Sequence, residues 1–374
     1  MTRTADLDAY SLKSAEAAEV PAPDLSYRPP MPKDRSARIG LIGAGGISGA
    51  HLDAYRSVGF NVTVICSPTL GNAIKQRDAY YPDAEATDDV EGTLARPDID
   101  VVDLTPHPRE RLPLMETALR AGKHVLSQKP FVLDVDDGER LVALAESRNL
   151  VLAVNQNGRF APHLSWIREA VRAGLVGEIH SCHATIHWDH GWTAGTPFEE
   201  IDDLILYDFA VHWFDFLASI IGGRARMVFA TRTRAAGQTA RPALLAEALV
   251  GFEGGQSSLV FDGATPFGAE DRTVVTGSAG TVISRGPDPG IQEVTLTTEA
   301  GVARPQLEGT WFKEGFAGTM GALLQAIETG TRPLNDARGN LDSLALVFAA
   351  IASSHSGEPI VPGSIRSLSA ALGR

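Results

Sequence analysis

The sequence predicts an α/β protein in two units: a doubly wound parallel sheet, then an α/β unit with a large, open, mostly antiparallel sheet. Three observations carry that expectation. From Arg38 to about residue 155, short apolar runs alternate with helix-length amphipathic stretches, the signature of repeated βαβ units. A glycine-rich turn, Gly43-Ala44-Gly45-Gly46, sits between the first apolar run and the first helical stretch, where a doubly wound sheet places its phosphate-binding loop. Beyond residue 225, strand-like runs follow one another without helices between them, which implies antiparallel or mixed pairing. At 374 residues the chain also exceeds one ordinary core.

Residues 1–35 are rich in Ala, Asp, Ser and Pro, end in Arg28-Pro29-Pro30-Met31-Pro32, and form a separate N-terminal arm. Such a segment is either a disordered tail or an extended arm laid across the body or a neighbouring subunit. Residues 36–155 make the dinucleotide-binding unit, with strands expected near 38–43, 61–66, 100–104, 123–126 and 151–155 and helices near 47–58, 88–95, 109–121 and 135–148. Residues 156–374 make the substrate-binding and oligomerisation unit. It should hold helices near 161–173, 203–221, 312–329 and 336–355, and strands near 178–187, 225–234, 243–252, 257–262, 272–276 and 281–285. A broad sheet with helices on one side leaves its other face to be covered, so a homo-oligomer, dimer or tetramer, is expected.

Composition removes several function classes. A net charge of -13 without clustered Lys and Arg argues against a nucleic-acid partner. Cys66 and Cys182 both lie in apolar strand-like runs, which reads as buried thiols in a reducing compartment. No apolar run approaches membrane-spanning length, and residues 1–35 lack the hydrophobic core of a secretory signal. A cytoplasmic protein without a membrane partner is expected.

In Gly40-Leu41-Ile42-Gly43-Ala44-Gly45-Gly46-Ile47-Ser48, Gly43 permits the tight turn. Gly45 and Gly46 let backbone amides approach a pyrophosphate, Ile47 opens the following helix, and the helix N-terminus adds a favourable dipole. At the end of the second strand, where a carboxylate would meet the adenosine ribose, stands Ser67. NAD and NADP both remain open there, and the absence of a neighbouring Arg leans the reading to NAD. Thr105-Pro106-His107 and Gln128-Lys129-Pro130 each follow a strand, at the carboxyl edge where such sheets bind ligands. Lys129, beside a cationic nicotinamide and partly desolvated, would have its pKa lowered toward use. Downstream, Asp208 and His212 lie four apart on a very apolar helix, a spacing that lets them touch, favours an imidazolium and orients its ring.

The glycine loop, the Thr105-Pro106 turn, Ala121-Gly122-Lys123-His124 leading into Lys129-Pro130, and Asp208-x-x-x-His212 together resemble the Gfo/Idh/MocA oxidoreductase family over about residues 36–362. The resemblance implies a Rossmann domain, a second α/β domain with an open sheet that mediates oligomerisation, and oxidation or reduction of a sugar, polyol or related hydroxyl compound. It puts the family's catalytic lysine on Lys129 and its Asp and His on Asp208 and His212. Gln128 stands where the family usually has Glu, removing a charge near the nicotinamide ribose. Of the His-x-Asn pair that contacts substrate in inositol dehydrogenase-like members, His187-Trp188-Asp189 keeps only the histidine. A proline-containing N-terminal arm is also seen in glucose-fructose oxidoreductase-like members.

His183 and His187 share one strand face, but two histidines without further ligands make no metal site. Trp188 and Trp192 offer ring surface for a sugar's apolar face, and Asn157 and Arg159, just past the crossing between units, complete the expected substrate pocket. The expected reaction has His212 taking a hydroxyl proton while hydride passes to the nicotinamide, with Asp208 holding His212 and Lys129 polarising the same oxygen. Two alternatives remain, and only the first shares these residues. One is a redox-neutral sugar- or glycoside-converting enzyme with retained NAD; the other is a non-catalytic dinucleotide-binding regulator, which needs none of the three.

Overall fold

The structure, a computed structural model, describes residues 17–374. Its first sheet has six strands in the order β3-β2-β1-β4-β5-β6: β1 Arg38–Ile42, β2 Asn61–Cys66, β3 Glu85–Thr87, β4 Val101–Leu104, β5 His124–Gln128 and β6 Leu152–Asn155. All five pairings are parallel. The crossovers are helices α1 Ser48–Ser57, α2 Leu70–Tyr80, α3 Val90–Ala95, α4 Pro108–Arg120 and α5 Val135–Ser147. Strand order reverses between β1 and β4, so a crevice opens at their carboxyl ends. β3 and α2 lie where the sequence suggested no element. α2 buries only Ala73, and β3 is three residues at the sheet edge, so neither leaves an apolar period to read.

The second sheet has eight strands in the order β14-β13-β12-β11-β7-β10-β9-β8. They are β7 Ile179–His187, β8 Ala225–Thr233, β9 Leu245–Phe252, β10 Gly255–Asp262, β11 Glu270–Gly277, β12 Gly280–Asp288, β13 Ile291–Thr298 and β14 Gly301–Ala303. Only β7 and β10 pair in parallel; the other neighbours are antiparallel. β13 and β14 extend the sheet past the last expected strand. Helices α6 Pro162–Arg172, α7 Val211–Ile221, α8 Lys313–Thr329, α9 Ala337–Ser356 and α10 Leu368–Ala371 complete the fold. α6, α7 and α9 pack on one sheet face, where alternate residues such as Val275, Val282 and Val294 are buried. Elsewhere on the sheet, Met227, Leu249 and Ile291 are exposed.

Residues 17–35 run extended over this second half. The Val20 N–H donates to the Val302 carbonyl at 2.9 Å and the Val302 N–H to the Ala18 carbonyl at 2.8 Å, extending the edge at β14. Farther on, the N–H groups of Lys33 and Asp34 each donate at 3.1 Å to the Glu328 carboxylate on α8. This part of the arm thus lies across the chain's own body; residues 1–16 lie outside the described residues. Among the described residues, no helix is long and apolar enough to cross a membrane.

Candidate active site

A cavity of about 790 Å³ lies between the carboxyl edge of the parallel sheet and the second half of the chain. The first half lines it with Ile47, Thr105-Pro106-His107 after β4, and Gln128-Lys129-Pro130 after β5. From the second half come Asn157, Trp188, Trp192, Asp208 and His212, among others.

The glycine turn leads into Ile47 at the cavity's edge and fits a dinucleotide. Gly43 has φ +99°, and a Cβ there would stand 2.6 Å from Thr105 Oγ1; only glycine fits between the turns after β1 and β4. A Cβ on Gly45 or Gly46 would meet nothing within 4 Å. Their openness is on the outside, where a pyrophosphate must come close. α1 starts with no side-chain cap; the Ser48 N–H donates to the Gly45 carbonyl at 3.2 Å and the Ala50 N–H to the Ile47 carbonyl at 3.0 Å, so what its first turn offers an anion is chiefly the helix dipole. Ser67 is buried at the end of β2, its N–H donating to the Thr87 carbonyl at 3.0 Å. β3 thereby holds an uncharged side chain at the ribose position.

Lys129 and Asp208 meet across the cavity. The ammonium lies 3.1 Å from Asp208 Oδ2 and donates to the Asp208 carbonyl at 2.8 Å. The expected hydrogen bond between Asp208 and His212 does not form. Ile205–Phe209 is a turn of π-helix, closed by the Ala210 N–H on the Ile205 carbonyl at 2.7 Å, and its wider winding breaks the i,i+4 stacking of an α-helix. Asp208 is turned to Lys129, and His212, in the first turn of α7, has no carboxylate partner. Its Nδ1 is sealed without a hydrogen bond against Gly158, whose Cβ position is 3.4 Å away. Nε2 is the nitrogen left for a ligand. Burial, reinforced by the nearby Lys129 charge, holds the imidazole pKa well below its ordinary value. The ring is therefore neutral, not the imidazolium its spacing from Asp208 suggested.

Two other expected site residues stand away from the cavity. Arg159 is clamped on Asp215, Nε to Oδ2 at 2.6 Å and a terminal nitrogen to Oδ1 at 2.8 Å. Asp215 also accepts from Ser343 Oγ at 2.7 Å and Asn340 Nδ2 at 3.3 Å, so the clamp ties α7 to α9 and leaves nothing of Arg159 for substrate. His187 follows the period of two along β7 and is half-exposed, 3.7 Å from Asp262; Trp188, one residue on, lines the cavity in its place. Asn157 and Trp192 do line it, Asn157 buried and Trp192 55% exposed.

Three features escaped the sequence. Arg111 on α4 is buried and lines the cavity. Its guanidinium donates to the carbonyls of Pro106, at 2.5 Å, and Pro130, stapling together the turns after β4 and β5, while its Nε–H has no acceptor. Burial outweighs the nearby Tyr207, Asp208 and Glu110, none of which it pairs with, and lowers its pKa to about 10. A cation in line with the buried Met115 and Leu119 was the available signal. Second, His51 on α1 is fully buried with Nδ1 2.8 Å from Asp103 Oδ2, and its Nε2 receives the amides of Gln128 and Asn155 at 3.0 and 2.9 Å. Gln128 Oε1 accepts the Lys129 N–H at 2.6 Å, so the Gln128 amide must donate and His51 must carry its proton on Nδ1. Third, Tyr207 lines the cavity with a buried hydroxyl that has no partner. Among the described residues, no group of three or more His, Cys, Asp or Glu is placed to hold a metal ion.

Residues 37–156 match the model of the Gfo/Idh/MocA oxidoreductase family, NAD-binding Rossmann fold, and residues 165–283 match the Gfo/Idh/MocA C-terminal domain. An inositol 2-dehydrogenase of Rhizobium meliloti is 26% identical over 326 residues, covering 85% of this chain and 97% of the relative. A D-apiose dehydrogenase of Paraburkholderia graminis is 27% identical over 198 residues, 51% of each chain. The crystal structure of an oxidoreductase from Agrobacterium radiobacter, in complex with NAD+, L-tartaric acid and magnesium, superposes with a TM-score of 0.80 at 20% identity, over 88% of this chain and 99% of the other. With a family model matching each half in turn, the chain belongs to the Gfo/Idh/MocA oxidoreductases and has the NAD-binding Rossmann fold as its first half.

Proposed function

We propose that this protein is an NAD-dependent dehydrogenase that exchanges hydride with a secondary hydroxyl of a sugar, polyol or glycoside. The observation that carries the reading is the meeting of Lys129 and Asp208 at 3.1 Å, from opposite sides of one cavity, beside a neutral and unpartnered His212. The dehydrogenases of inositol and D-apiose among the relatives support the same class of substrate.

In this reading Asp208 fixes the Lys129 ammonium through its carboxylate and carbonyl, leaving an N–H for the substrate oxygen. As the C–H bond breaks, negative charge grows on that oxygen and the ammonium stabilises it. His212 accepts the hydroxyl proton at Nε2, where a neutral ring has its lone pair ready. Asn157 orients a second hydroxyl, and Arg111 keeps the two cofactor-bearing turns in register. The bound dinucleotide supplies the hydride acceptor.

The test is NADH formation by purified protein with NAD and a panel of sugars, polyols and glycosides. Lys129→Met and His212→Ala should each lower kcat by about 10²–10⁴-fold while NAD still binds. Undiminished turnover in both variants overturns the assignment. We also read the exposed Met227, Leu249 and Ile291 of the second sheet as part of a subunit interface, which sedimentation would show as a dimer or tetramer and a monomer would refute. The two free, buried thiols fit a cytoplasmic setting.

A further inference from the structure

Resting on that reading, we infer that the substrate is an uncharged glycoside with an aromatic aglycone, the sugar ring at Lys129 and His212 and the aglycone against Trp192 and Phe198. The outer wall of the cavity is made of rings. Trp192 stands edge-on to Phe198 at 5.3 Å between centroids, Phe198 stacks on Phe209 at 6.3 Å, and Phe209 meets His190 at 4.1 Å. Phe209 follows Asp208 in sequence, so this surface is continuous with the reacting centre. Trp192 is 55% exposed, a large apolar face left open at the mouth of a binding cavity.

The polar groups of the same wall are few, and its two carboxylates stand in turns with one oxygen each already engaged. Asp189 and Asp288 each accept an N–H of their own turn, at 2.8 Å from Gly191 and 2.7 Å from Gly290. Trp188 Nε1 and His190 Nδ1 are sealed inside the wall. A free polyol has hydroxyls on every edge, and those turned to the faces of Trp192, Phe198 and Phe209 would lose water without gaining partners. An aromatic ring there loses nothing polar. Charge excludes the acids as well: Asp189, Asp208 and Asp288 line the cavity against only two cations. Lys129 is held by Asp208 and Arg111 by two carbonyls, and burial lowers the His190 pKa to about 4, so the ring brings no charge for a carboxylate.

Phenyl and methyl glycosides of the same sugars, in both anomers, give the test. With NAD, kcat/KM for the phenyl member of the preferred pair should exceed the methyl member by about 30-fold, the order expected for burying one aromatic ring. Trp192→Ala should reduce that ratio about tenfold, and Trp192→Phe should restore most of it. A ratio near one, or faster oxidation of free sugars or myo-inositol, overturns the inference while leaving the dehydrogenase intact. Calorimetry of the NAD-loaded protein separates the remaining case. If nothing is oxidised, yet phenyl glycosides bind and methyl glycosides do not, the aromatic subsite stands and the dehydrogenase reading falls; if neither binds, both fall.

Discussion

Arg111 and Arg159 are both buried arginines that hold distant stretches of chain together, one in each half of the molecule, and they differ in what faces the charge. Arg159 grips Asp215 with two hydrogen bonds. Burial is the largest single influence and would lower its pKa, but the charge and hydrogen bonds of Asp215, with the more distant Asp336 and Asp342, together raise it. Arg111 has carbonyls only, so burial lowers its pKa to about 10, and one N–H is left without an acceptor. The neutralised arginine stands away from the cavity; the uncompensated one lines it. A cation kept out of water is costly unless paired, and Arg111 offsets part of that cost only through the two carbonyls it staples together. The contrast extends to what each half offers a ligand. Near the parallel sheet the wall is largely backbone turns, suited to a cofactor shared by many proteins. Near the eight-stranded sheet it is side chains on a π-distorted helix and a set of rings, suited to one substrate.

The comparison can be broken most easily at Asp215. Asp215→Ala would leave the Arg159 charge buried and unpaired, a loss of about 3–5 kcal/mol by urea unfolding. Asp215→Ala with Arg159→Met together should recover much of that; if the double variant is no more stable than the single, Arg159 is not a charge clamp.

The next effect is pH. His163 and His190 have pKa values lowered by burial to about 3 and about 4, and His212 lies well below its usual value. Unfolded, all three take protons below about pH 6.5. Asp271, unpartnered and buried, works the other way: burial raises it to about 7, so the folded state alone holds that proton above about pH 4. Of these four groups, three protons favour the unfolded state and one the folded state, a net of two; His124, lowered by burial, adds to the first side and Asp342, raised by burial, to the second. Stability should therefore fall as pH drops from about 6 to 4.5, by roughly 2.7 kcal/mol per unit. Denaturant midpoints across that window check it, and a flat profile would mean these buried histidines are charged in the folded protein.

The smallest effect expected is at Arg111. Arg111→Met removes the staple between the Pro106 and Pro130 turns and should lower kcat/KM about tenfold, an order of loss modest displacement of catalytic groups can produce. A change confined to stability would make Arg111 the equivalent of Arg159 and erase the distinction.

Much of the first half was legible because its signals are local. A glycine turn between strand and helix, and Lys129-Pro130 just past a strand end, identify positions on a doubly wound sheet without knowledge of any distant residue. α2 and β3 were missed where polar or very short segments carry no period. In the second half, Asp208 and His212 were found as unusual ionisable groups in an apolar helix, but their relation was misread. An i,i+4 pair presumes 3.6 residues per turn, and the local π winding is set by packing. Arg159 was assigned to the pocket for its place just past the crossing between units, and His187 for its resemblance to a substrate-contacting histidine. The Asp215 partner of Arg159 lies 56 residues away, and His187 missed the cavity by one residue of strand register.

The amino-acid order alone determined the succession of βαβ units, the phosphate turn, and the chemical types brought to the site, since each depends on steric and hydrophobic preferences within a few neighbouring residues. Only the tertiary structure decided which charge answers which: Lys129 with Asp208, Arg159 with Asp215, and Arg111 and His212 with none. Electrostatic partnership depends on distance and burial in space, and those arise when segments far apart along the chain are packed together.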